Sequence, residues 1–204
     1  MNIKIGWIIP ILIIIIIGIS LSLSNKDDNE KIDEVEIMDG KHNVVINVKD
    51  YGEIYLELDA DVAPITVTNF IYLANKNFYD GITFHRIIEG FMIQGGDPTG
   101  TGYNGSGTTI KGEFAANGIE NSISHTRGTI SMARNSTDYD SASSQFFIVH
   151  QDSTFLDGDY AAFGHVTKGM EVVDKIAETA EPIDNNGLIA EDKQPVIESV
   201  KVID

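Results

Sequence analysis

Apolar and polar positions alternate through most of the chain beyond residue 40. Val44-Val45-Ile46-Asn47-Val48 and Ile54-Tyr55-Leu56-Glu57-Leu58 flank Asp50-Tyr51-Gly52, a pattern that predicts an opening hairpin. Pro64 starts a helical stretch in which Val67, Phe70, Ile71 and Ala74 recur at i, i+3, i+4 and i+7, one apolar stripe. Strand-like runs follow at 82–88, 91–94, 129–133, 145–149, 161–166 and 196–203, with Leu156-Asp157-Gly158-Asp159 as a turn before the run at Ala161. A second helix is expected over 170–178, where Met170, Val173 and Ala177 share a face. Many strands with two short helices predict a mainly β fold, a closed antiparallel barrel whose ends the helices cover.

The first forty residues show another pattern. Residues 5–23 are uncharged and dominated by isoleucine, and about 19 residues at 1.5 Å rise come close to a hydrocarbon core. This predicts an uncleaved membrane anchor. The serines at 20, 22 and 24 leave a cleaved signal, and hence secretion, as the alternative. Lys4 precedes the run and Asp27, Asp28, Glu30, Asp33 and Glu34 come after it, so the N-terminus is expected inside and the rest outside the cytoplasm. Residues 24–40 read as an acidic, solvated linker and 41–204 as the globular domain.

Composition narrows the function. A formal charge of −17 argues against a nucleic-acid binder. The absence of cysteine removes disulfides, thiol nucleophiles and thiolate metal sites. The five histidines lack paired ligand spacing, and no metal is expected. Gly100-Thr101-Gly102-Tyr103-Asn104-Gly105 fits a dinucleotide fingerprint, but Ser106-Gly107-Thr108-Thr109 is a poor helix start, so the segment reads as a loop. Asn104-Gly105-Ser106 and Asn135-Ser136-Thr137 fit the glycosylation pattern.

The informative segment is Phe84-His85-Arg86-Ile87-Ile88-Glu89-Gly90-Phe91-Met92-Ile93-Gln94-Gly95-Gly96-Asp97. Strand alternation puts His85 and Arg86 on opposite faces, and Phe91, Ile93 and Gly95 opposite Met92 and Gln94. That gives a cationic donor beside an apolar surface and, alone, no reaction. The segment resembles the signature of the cyclophilin family. Gly112-Glu113-Phe114, Gly128 to Ala133, Ser143 to Ile148, Leu156-Asp157-Gly158 and Phe163-Gly164-His165-Val166 match in order, so the resemblance covers residues 44–203.

The resemblance implies an eight-stranded antiparallel barrel with two capping helices and peptidyl-prolyl cis/trans isomerase activity. By resemblance Arg86 is the catalytic arginine and Gln94 places it. Phe91, Met92, Phe147 and Leu156 hold the substrate proline ring, and Ala133 and Gln145 line the peptide groove. Phe155 and Tyr160 stand where cyclosporin-sensitive eukaryotic members carry Trp and His, which keeps an aromatic wall but loses the indole N–H. Arg134-Asn135 replaces an Asn-Ala pair, and the added cation is expected to favour acidic peptides. Rotation about an amide needs no nucleophile, metal or cofactor. The expected partners are proline-containing peptides and unfolded or partly folded proteins, met by a monomeric domain that speeds folding outside the cytoplasm. The alternative is a tethered module that binds proline peptides without turnover.

Overall fold

The computed structural model describes residues 36–204. The expected anchor or signal over 5–23 and most of the linker lie outside the described residues. Among the described residues no helix is long and apolar enough to cross a membrane. The domain takes hold of the chain at Met38, whose amide donates to Thr68 Oγ1 and whose side chain packs on the core. The last residues of the stretch read as linker are therefore already docked.

Eight strands form one curled antiparallel sheet: β1 (Lys41–Val48), β2 (Gly52–Asp59), β3 (Thr83–Ile88), β4 (Met92–Asp97), β5 (Thr129–Met132), β6 (Phe146–Val149), β7 (Ala162–Lys168) and β8 (Ile197–Val202), in the order β3-β4-β6-β5-β7-β2-β1-β8. The opening hairpin forms as its pattern predicts, with Asp50 and Gly52 taking positive φ at the turn. The expected closed barrel needs correcting at its seam. End strands β3 and β8 form no ladder; they meet through a Thr83–Val196 bridge and bonds from Phe84 N to Pro195 O and from Ile197 N to Ile82 O. Pro195 has no N–H to extend that pairing, and the sheet is a curled half-barrel.

The two expected helices are α1 (Pro64–Asn75) and α2 (Met170–Thr179). α2 is amphipathic and buries Val172, Val173, Ile176 and Ala177 against the sheet. α1 departs from the single stripe, because Thr66, Thr68, Asn69 and Leu73 are buried as well. The segments around Glu113 and Ser143 cover its other sides. The buried Glu113 carboxylate accepts the amides of Ile65 and Thr66, satisfying helix N–H groups left open at the first turn. Inside the sheet, Phe70 meets Tyr79, Phe146 and Phe163 at ring separations of 5.0–5.4 Å.

Candidate active site

Strand alternation builds the site by giving β4 and β6 two apolar faces. Ile93, Phe146 and Ile148 point into the core, whereas Met92, Phe147 and Val149 form an outer cluster with Leu156. The inward Phe146 and outward Phe147 result directly from their adjacency in a strand. Leu156 comes from a 3-10 turn, Thr154–Leu156, which Asp157 and Gly158 end. Phe91 departs from the alternation argument, since it shares the outer cluster with Met92. It lies in the turn before β4, where period-two alternation does not apply. His150 fixes that turn: its Nδ1 accepts the Gly90 amide at 2.9 Å, and its own amide donates to Phe91 O at 2.8 Å.

The outer cluster leaves a pocket of about 150 Å³ lined by Arg86, Phe91, Met92, Gln94, Arg134, Phe147, Leu156 and Tyr160. Beside it runs a polar groove of about 540 Å³ with Gln94, Ala133, Arg134 and Gln145 in its wall. Nine of the ten residues expected at the site and Arg134 thus line one or other space. Phe155 lines neither: it is 71% exposed, with its ring 5.6 Å from that of Phe91 at the rim.

Arg86 is held from two sides. Its Nη1 donates to Gln94 Oε1 at 3.1 Å and its Nε to the backbone oxygen of Asn186 at 2.7 Å. Burial pulls its pKa down, and Tyr160 and Asp184 oppose the shift. Nη2 makes no hydrogen bond among the described residues and remains free to donate. Gln94 Nε2 donates to Gln145 Oε1 at 2.9 Å, and Gln145 Nε2 donates to the carbonyls of Gly102 and Asn104 at 3.0 and 2.8 Å. This chain has one possible direction. A guanidinium only donates and a carbonyl only accepts, so both intervening amides are oriented without ambiguity. The 97–104 loop is anchored in turn, for Asp97 Oδ2 accepts the amides of Gly102 and Asn104.

Three features escaped the sequence reading. The first is the Asn186 carbonyl. Gly187, at φ +87°, lets its loop sit against β3, where a Cβ would come within 2.7 Å of Ile87 O. No pattern within the Arg86 segment announces a backbone atom a hundred residues away. The second is His125, buried and stacked on Phe147 with ring planes 17° apart, Nδ1 at 2.8 Å from Asp157 and Nε2 at 3.0 Å from Ser131 Oγ. Burial lowers its pKa, and the Asp157 hydrogen bond opposes this. The third is the aromatic setting of Arg134, whose guanidinium carbon lies 4.7 Å from the Tyr160 ring centre, 4.9 Å from Tyr139 and 5.2 Å from Phe114.

Known proteins resemble this chain in sequence and in fold. Residues 43–202 match the family model described as cyclophilin type peptidyl-prolyl cis-trans isomerase. Peptidyl-prolyl cis-trans isomerase B of Bacillus subtilis is 48% identical over 124 residues, covering 61% of this chain and 82% of that protein. Peptidyl-prolyl cis-trans isomerase A of Dickeya dadantii is 45% identical over 162 residues, covering 74% and 80%. A crystal structure of a Cryptosporidium parvum cyclophilin type isomerase superposes with a TM-score of 0.71 at 29% identity, over 81% of this chain and 99% of that one. The same Cryptosporidium protein in the presence of the dipeptide Ala-Pro gives 0.69 at 30% identity, over 79% and 99%. The chain belongs to the cyclophilin-type peptidyl-prolyl cis-trans isomerase family.

Proposed function

We propose that this domain isomerises X-Pro bonds in unfolded or partly folded proteins outside the cytoplasm, with Arg86 acting on the twisting amide and residues 5–23 holding the enzyme at the membrane. The observation that carries the chemical part is the two-sided hold on Arg86 at the mouth of an apolar pocket, with Nη2 left unpaired among the described residues.

Amide resonance sets a rotation barrier of about 18–20 kcal/mol. Exchange of X-Pro bonds takes on the order of tens to hundreds of seconds unaided, so millisecond turnover asks for roughly 7 kcal/mol of preferential transition-state stabilisation. As the C–N bond twists, the nitrogen pyramidalises and gains a lone pair. A guanidinium aimed at that nitrogen, or at the prolyl carbonyl beyond it, binds the twisted state better than either planar one. Preorganisation matters because a freely rotating arginine would lose side-chain entropy at each encounter. Here Gln94 and Asn186 have already ordered it. Phe91, Met92, Phe147 and Leu156 grip the ring while the preceding carbonyl swings, and their apolar surroundings favour the less charge-separated twisted amide. A pocket near 150 Å³ suits one small ring better than a large side chain. A binding module without turnover would need the pocket but not an oriented guanidinium.

The long uncharged run at 5–23, with Lys4 before it and acidic residues after it, supports the location. Two experiments test the reading. Protease added to intact cells should digest the domain while the membrane fraction retains the N-terminal segment; protection from external protease contradicts the placement. Purified full-length protein should shorten the proline-limited phase in refolding of an exported protein, and an unchanged phase contradicts the enzymatic part.

A further inference from the structure

The strongest unassigned feature is the sign of the charge around the two spaces. The chain carries −17 overall, yet among the described residues no aspartate or glutamate lines the groove or the pocket. Among the described residues Arg134 is the one charged residue lining the groove, and it also lines the pocket, where Arg86 is the other. An acidic peptide approaching this protein meets net repulsion until it reaches that site.

Arg134 is poised rather than spent. Its Nε donates to Asp159 O and its Nη1 to Asn135 O, each at 2.9 Å. Three aromatic rings surround the guanidinium within 5.2 Å. Among the described residues it forms no ion pair, and Nη2 makes no hydrogen bond. Asp140, which follows Tyr139 in the chain, is engaged elsewhere, accepting the Gly112 amide at 3.0 Å and Asn117 Nδ2 at 2.7 Å. A side chain already immobilised by stacking and two backbone acceptors pays little further ordering cost when a carboxylate arrives.

We propose that Arg134 makes this isomerase selective for substrates with an aspartate or glutamate close to the proline, the carboxylate lying in the groove while the ring occupies the pocket. The proposal deepens the isomerase reading and rests on it for the binding mode. A purely structural Arg134, serving to close the aromatic cluster, would use the face of the guanidinium and show no dependence on substrate charge.

The test uses full-length protein and Ala-Pro peptides with Glu, Gln or Lys two residues before the proline, and a second series with the change two residues after it. Both kcat/KM and peptide Kd are measured in wild type, Arg134→Gln and Arg134→Lys. The Glu-to-Gln ratio is taken within each variant, so a general loss of activity cancels, and the ratios are compared between variants, so the field of the remaining charges cancels as well. In one series the ratio should be about fivefold to tenfold in wild type, in line with one hydrogen-bonded charge pair. It should fall by about that factor in Arg134→Gln and be partly kept in Arg134→Lys. Equal treatment of Glu and Gln by wild type in both series, or the same ratio in Arg134→Gln, overturns the proposal. Should Arg134→Gln fail to fold, the wild-type ratio and its decrease in Arg134→Lys decide, and an undiminished ratio there counts against it. Acceleration of every peptide without charge preference removes this inference and leaves the isomerase reading standing. An Arg134-dependent preference in Kd without acceleration of any peptide removes the isomerase reading and leaves the charge selection.

Discussion

Strands β4 and β6 present the same kinds of side chain to two very different surroundings. On the inner face, Ile93, Phe146 and Ile148 belong to a core in which the Phe146 ring meets those of Phe70, Tyr79 and Phe84 at 5.4–6.0 Å. On the outer face, Met92 and Phe147 are almost as dry, at 1% and 5% exposure. Burial therefore does not tell the two faces apart. What differs is closure: the outer cluster stops short of filling itself and leaves a pocket whose rim is Arg86, Gln94, Arg134 and Tyr160. One step along a strand thus separates residues that fill the core from residues that line the pocket.

The sharpest test of that contrast exchanges neighbours. Phe146→Ala should cost about 3–5 kcal/mol of unfolding free energy, the usual penalty for emptying a filled aromatic site. Phe147→Ala faces an existing pocket and should cost less than half as much, while kcat/KM for an Ala-Pro peptide falls by about tenfold or more through KM. Urea unfolding and the isomerisation assay read the two effects separately. Equal destabilisation by both changes would break the distinction between the faces.

The polar side of the rim gives the next largest effect. Gln145→Glu replaces an amide that must donate to the carbonyls of Gly102 and Asn104 with a group that can only accept when ionised. The chain from Arg86 to the loop then breaks at its last link, although the carboxylate can still accept from Gln94. The expected result is a loss of about tenfold in kcat, with Gln145→Leu less damaging than Gln145→Glu because it leaves no charge facing two carbonyls. Rates unaffected by Gln145→Glu would mean that Arg86 keeps its aim without this chain.

How much of this contrast was legible beforehand depended on how local its cause is. The Phe146 and Phe147 split is visible in five consecutive residues, and so is the β1–β2 hairpin. Alternation alone places Phe91 opposite Met92, whereas the resemblance places both at the pocket; the turn at Gly90 interrupts the strand period just before Met92. The full burial of α1 was hidden too. Its stripe shows which side meets the sheet, whereas Thr66 and Asn69 are covered by segments far along the chain, around Glu113 and Ser143. Arg86 stood out within its own segment, but half of its support is a backbone oxygen that loop 183–188 brings in. Backbone atoms have no signature in a sequence, and neither has the long-range packing that stacks His125 on Phe147.

Smaller effects come from the two buried histidines. His85 is 1% exposed with neither ring nitrogen properly hydrogen-bonded, Thr83 and Gln145 approaching without closing a well-formed bond. Burial lowers the pKa of both His85 and His125. Because both folded pKa values lie below the unfolded one, the unfolded chain binds more protons as the pH drops. The fold therefore bears no protonation cost at these rings above about pH 6.5 and loses stability on acidification through the folded values. The lowered carboxyl pKa values of Asp97 and Asp157 act in a separate window, below about pH 4. The urea midpoint should fall between pH 7 and pH 5. His85→Leu should reduce that slope and raise stability at neutral pH by about 1 kcal/mol, since it removes an unsatisfied buried polar group. A midpoint independent of pH over this range would contradict the neutral, buried state of both rings.

Arg86 carries the proposed chemistry, and the most direct measurement is protease-coupled isomerisation of an Ala-Pro peptide by the full-length protein beside Arg86→Ala. Arg86 borders the pocket instead of filling the core, so the substitution should leave the urea midpoint within about 1 kcal/mol of wild type. The predicted result is strong acceleration by wild type and a loss of about 100-fold to 1000-fold in kcat/KM in the variant, the scale of one preorganised charge-stabilising donor. Retention of wild-type acceleration by folded Arg86→Ala protein would contradict it.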